Sequence, residues 1–120
     1  MPDFTRKEIQ QLIAVATQPL NLRGAELEGI DLKSLDLQGA NLTDANLTNA
    51  YLTRADLTYA DLTDANLTDA DLTDANLTDA YLTRANLPGA NLQGTDLTGA
   101  DLTDAYLQGV DLTGVKGYNP

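Results

Sequence analysis

Leucine occupies every fifth position from Leu22 to Leu112 without a gap, and the residue two before it is usually alanine, as from Ala40 through Ala90. The residue between them is mostly Asp or Asn, and Thr usually follows the leucine, so the unit reads Ala-(Asp/Asn)-Leu-Thr-x. An α-helix, at about 100° per residue, would rotate successive leucines by about 140° and scatter them around its surface. A straight strand would point them alternately to opposite faces. A chain that turns a corner once per repeat can send every leucine, and the alanine two before it, to one interior. The pattern therefore predicts a coil whose turns stack at about 4.8 Å and hydrogen-bond to the turns above and below.

The corner pairs after leucine are Thr-Asp, Thr-Gly, Gln-Gly and Thr-Asn, residues that tolerate turn conformations, although they leave the turn type open. Charge pairing bears on the number of sides without deciding it. With four repeats to a coil, Arg54 stacks beside Asp74 and Arg84 lies between Asp64 and Asp104. With three, both arginines share Asp69. The longer period matches more opposite charges.

Runs such as Ala60-Asp61-Leu62-Thr63-Asp64 and Ala65-Asn66-Leu67-Thr68-Asp69 resemble the A(D/N)LXX consensus of the pentapeptide-repeat family, over about four fifths of the chain. The resemblance implies an all-β, right-handed quadrilateral β-helix. Nineteen repeats then make just under five coils, an axial length of roughly 23 Å at strand spacing.

Solenoids need atypical ends. Thr5 and Glu8 have capping-box spacing, and Phe4 and Ile9 stand where a hydrophobic staple packs, so a short capping helix is expected to begin near Arg6 and to end by Pro19. Its stripe of Ile9, Leu12, Ile13 and Ala16 would cover the mouth of the first coil. Leu20, Ile30 and Leu35 stand where alanine usually does, which would widen that coil. At the other end Val110 and Val115 replace alanine and Gly117 falls where the next leucine is due. The expected organisation is a cap over 1–19, a solenoid over 20–115 and a tail over 116–120. The last coil would expose Leu107, Val110, Leu112 and Val115, which predicts a homodimer through the C-terminal end of the solenoid, or shielding by Tyr118.

Composition narrows the chemistry. There is no Cys and no His, which removes thiol and imidazole catalysis and the usual transition-metal ligands. Asp and Glu outnumber Lys and Arg by 18 to 7, for a net charge of −11. This argues against direct nucleic acid binding and against an anionic membrane, and favours a basic protein surface as partner. No cofactor is expected, and a convex rod with a filled interior offers no pocket for catalysis, so the chain reads as non-enzymatic. Arg6 and Lys7 precede a segment too polar for a signal peptide, and no stretch suits a membrane span, so the expected location is cytoplasmic.

The candidate partner surface is acidic. Asp64, Asp69, Asp74 and Asp79 hold the same repeat position in four successive units, Asp61 and Asp71 add to them, and no basic residue interrupts 61–79. The function expected from this belt is a structural or interaction role, presenting a rigid acidic rod to a protein. Some members of the family resemble duplex DNA and bind DNA gyrase, which implies an alternative as a gyrase inhibitor or protector. This chain lacks their loop insertions and the central Phe that they often use. A remoter alternative, ice binding, rests on the column Thr43, Thr63, Thr83 and Thr103. Carboxylates three apart, as in Asp61/Asp64 and Asp71/Asp74, lack the shaped loop a calcium site needs, so no metal is expected.

Overall fold

The computed structural model describes residues 2–118. Its one helix, α1 (Arg6–Val15), begins as the sequence predicts: Thr5 Oγ1 accepts from the Glu8 N–H (3.2 Å) and Glu8 Oε1 accepts from the Thr5 N–H (2.9 Å). It stops at Val15, short of Pro19. Ala16 is already extended, and its N–H reaches back to the Ile13 carbonyl. Pro19 forces the residue before it toward extended backbone, and its ring lies against the first-coil corner at Gly39. Ile9 is fully buried, and Phe4 and Ile13 pack against the same core.

The remainder is a ladder of isolated parallel bridges, each joining residue i to residue i+20, from Asn21↔Asn41 to Asp96↔Lys116. Four repeats therefore complete one coil, and each repeat turns one corner. At each corner the second residue after leucine has positive φ, for example Asp69 at 58° and Gly94 at 71°. The alanine N–H closes the corner onto the leucine carbonyl, as Ala70 does to Leu67 at 3.0 Å. A closed four-residue turn with left-handed backbone only at its third residue is a type II turn.

One unit, Asn66 to Ala70, shows how the backbone is satisfied. Asn66 donates to the Ala45 carbonyl (2.9 Å) in the coil below, while Leu67 and Asp69 donate to Asn86 (2.6 Å) and Pro88 (3.0 Å) in the coil above. Ala70 closes the turn. That leaves Thr68, whose N–H donates to Asn66 Oδ1 at 3.0 Å. All five N–H groups thus have partners, and the Asp or Asn of the repeat supplies the one acceptor that the stacking cannot.

Inside, the every-fifth leucines from Leu22 to Leu97 are at most 3% exposed. Thr95, which stands in an alanine position, is equally buried, and its hydroxyl donates to the Leu72 carbonyl at 2.7 Å. The last coil differs: Leu102, Leu107, Val110, Leu112 and Val115 are half-exposed. Tyr118 packs against them without closing the end, and an open hollow of about 630 Å³ lies between it and Leu97, Leu102 and Leu107.

Candidate functional site

The four-repeat period fixes where the acidic residues stand. Asp64, Asp69, Asp74 and Asp79 are the four corners of a single coil, all with φ between 57° and 60°. Asp61 and Asp71 are two repeats apart, half a coil, and so lie on opposite sides. The six candidates therefore form a belt around the rod, and no flat side presents them all.

Their chemistry divides them further. Asp61 Oδ1 accepts from the Thr63 N–H (3.0 Å), and Asp71 Oδ1 accepts from the Thr73 N–H (3.0 Å) and hydroxyl (2.6 Å). Both fill the backbone role just described and keep one oxygen for solvent. Asp64 takes a two-pronged contact from Arg84, Nε to Oδ1 at 2.9 Å and Nη2 to Oδ2 at 3.1 Å. That hydrogen bond chiefly holds the Asp64 carboxyl below its ordinary range, against an opposing desolvation and with a weaker contribution from the guanidinium charge. Arg84 is raised in turn, chiefly by Asp64, with Asp104 and Asp44 adding weaker attraction. Asp69, Asp74 and Asp79 have no side-chain hydrogen bond or ion pair among the described residues. Each carboxylate instead lies along the stack over the next corner, at Gly89, Gly94 and Gly99, where Oδ1 fills the space a Cβ would need.

Arg54 does not pair with Asp74, although they share a corner column; the ion pairs among the described residues are Arg84–Asp64, Arg6–Asp31 (3.2 Å) and Arg23–Asp44 (3.6 Å). The last two escaped the sequence argument because one starts from the cap and the other joins residues that do not share a column. Arg6 also donates to the Asp31 carbonyl, tying α1 to the first coil. In the column Thr43, Thr63, Thr83 and Thr103, the Thr103 hydroxyl donates to Asp101 Oδ1 at 2.6 Å, the same inward bond that Thr68 and Thr73 make. No cluster of carboxylates among the described residues is close enough to hold a metal ion. No helix among them is long and apolar enough to cross a membrane.

The family model for pentapeptide repeats matches eight copies within residues 20–49, 36–74 and 75–114. The chain belongs to the pentapeptide-repeat family, whose solenoid is a β-helix. Among solved structures it is similar to a pentapeptide repeat protein from the Arabidopsis thaliana thylakoid lumen (33% identity, TM-score 0.74), covering 78% of this chain and 65% of that one. It is also similar to a pentapeptide repeat protein from Nostoc PCC 7120 (29% identity, TM-score 0.51), covering 90% of each chain. The plasmid-mediated fluoroquinolone resistance protein QnrB1, in a trypsin-treated form, shares 27% identity over 82% of this chain and 55% of its own, at a TM-score of 0.46. That overlap is too loose to carry the gyrase reading. This chain covers less than two thirds of the length of the thylakoid-lumen relative and of QnrB1. No curated protein matches it.

Proposed function

We propose that this protein is a non-catalytic interaction module that offers a rigid ring of carboxylates to a basic surface on a protein partner. The observation that carries the reading is the division among the six candidates. Asp61, Asp71 and Asp64 are engaged within the fold, whereas Asp69, Asp74 and Asp79 hold their charge at three corners with no partner of their own among the described residues. Such charge steers a cationic partner toward the rod and fixes its register more than it adds affinity. The corners sit on backbone pinned by the ladder, so binding need not order them first.

The proposal includes a right-handed sense for the coil, a cap formed by 1–19, a solenoid over 20–115 and a tail over 116–120, a cytoplasmic setting, and self-association through the C-terminal end. The capping box and the buried Ile9 support the cap, and the half-exposed last coil supports the self-association.

The test is recovery of proteins from a lysate by the native chain and by a triple variant, Asp69→Asn, Asp74→Asn and Asp79→Asn. The reading expects the triple variant to lose partners that a control carrying Asp61→Asn and Asp71→Asn retains, because asparagine still accepts from Thr63 and Thr73. Recovery of the same proteins by both variants in equal amount would sink it.

A further inference from the structure

The two ends of the solenoid present the same problem and meet it differently. At the first coil, Asp3 donates its N–H to the Glu26 carbonyl and accepts from the Glu26 N–H, while α1 lays Ile9 and Ile13 over the leucines. At the last coil, the N–H groups of Leu102, Asp104, Leu107, Gly109, Leu112 and Gly114 have no backbone partner among the described residues, whereas the same positions in lower coils donate upward. They rim a partly exposed apolar interior formed by Leu102, Leu107, Val110, Leu112 and Val115. The apolar interior is thus open at this end, whereas α1 covers it at the other.

Helix α1 also has a second apolar side. Ile9 and Ile13 face the coil, while Phe4, Leu12 and Val15 line a shallow groove of about 360 Å³ on another side with Glu8 and Gln11. Leu12 is 37% and Val15 76% exposed.

Charge selects between these surfaces. Residues 2–19 carry Asp3, Glu8, Arg6 and Lys7, a net charge of zero, so the rest of the chain holds the entire −11. From residue 99 onward stand Asp101, Asp104, Asp111 and Lys116, a net −2. Two C-terminal ends brought together oppose two net charges of −2; a cap brings Glu8 in its groove but, with Asp3, Arg6 and Lys7 beside it, no net charge.

We propose that the C-terminal coil of one molecule receives the outer side of α1 from a second molecule, so that copies stack head to tail. Leu12 and Val15 of the incoming cap meet the ring of Leu102, Leu107 and Val110. A cross-section of 27 × 21 Å offers on the order of 500 Å² per partner, less than the roughly 800 Å² of a standard stable complex. The contact is therefore weak and concentration-dependent. Because the two surfaces differ, it continues into longer stacks and does not close as a pair. This deepens the proposed self-association by naming the partner surface, and it is independent of the acidic belt.

Sedimentation velocity from micromolar to millimolar concentration tests it with two blocked forms. One carries Leu12→Asp and Val15→Asp in the cap; the other carries Leu107→Asp in the last coil, with Val110→Asp as a second version should the first fray that coil. Native protein is expected to form a ladder of species, and each blocked form alone to associate about tenfold more weakly or worse. An equimolar mixture of the two should form a 1:1 complex that stops at two, because one supplies a free coil and the other a free cap. A strictly monomeric native protein overturns the proposal. So does a cap-blocked form that still dimerises alone, which is the behaviour of a contact between two C-terminal ends.

Discussion

Replacing Leu67 by alanine removes three carbons from the middle of the stack, where Leu67 is fully buried between Leu47 and Leu87, themselves at most 1% exposed. Transfer of those groups contributes about 2.4 kcal/mol at about 0.8 kcal/mol each. A residual cavity adds to this, because Leu67 and Asp69 are tied to the coil above and Asn66 to the coil below, which hinders collapse onto the hole. About 60 Å³ left empty, at about 24 cal/mol per Å³, contributes about 1.5 kcal/mol more. The expected loss is about 4 kcal/mol. Leu107→Ala is the internal control: its side chain is partly exposed and borders an existing hollow, so only part of the transfer and little cavity remain, about 1–1.5 kcal/mol. Urea unfolding followed by far-ultraviolet circular dichroism reads both. With a slope of about 1.5 kcal/mol per molar, the midpoint falls by more than about 2 M for Leu67→Ala and by at most about 1 M for Leu107→Ala. Equal losses at the two sites would refute the picture of a sealed column open at one end.

At the Asn49 corner, where φ is 60°, Asn49→Val should cost about 1–2 kcal/mol and Asn49→Gly almost nothing, measured in the same urea assay. Thr95→Val should lower stability by no more than about 1 kcal/mol, since the Leu72 carbonyl still accepts from the Ala75 N–H at 2.9 Å; a much larger loss would mean the hydroxyl has a second role. Arg84→Glu should lower the thermal midpoint more in low salt than in high, and equal losses would remove the ion pair from the account. Asp101 is held below its ordinary value by the Thr103 hydroxyl and N–H. Its charge therefore stabilises the fold fully above the unfolded value of about 3.9 and less as pH falls through the lower folded value. The gap in stability between native protein and Asp101→Asn should accordingly close in acid; a gap constant from neutral pH to strong acid contradicts the assignment.

Much of this molecule could be read from its residues because each constraint is local and repeated. The leucine period dictates the coil, and Thr5 with Glu8 dictates where α1 starts. The Arg84–Asp64 pair follows from a period of four repeats per turn. What escaped reading depended on relations across the stack. The role of Asp61 and Asp71 emerges only when every backbone N–H in a unit has been assigned, because an acid in that position otherwise looks like surface charge. α1 ends at Val15, where Ala16 is already extended and donates back to the Ile13 carbonyl, four residues before the Pro19 that the sequence offers as its stop. Arg54 and Asp74 share a column yet stay apart, because the Asp74 carboxylate lies along the stack over Gly94, in the coil on the far side from Arg54.

The most direct test of the coil is the measurement of scalar couplings across its backbone hydrogen bonds by nuclear magnetic resonance. The Leu67 N–H should couple to the carbonyl carbon of Asn86, and the Asn66 N–H to that of Ala45, with the same two offsets repeated along the chain. Couplings of the helical i to i−4 kind, or offsets belonging to a three-repeat turn, would contradict the structure and everything drawn from it.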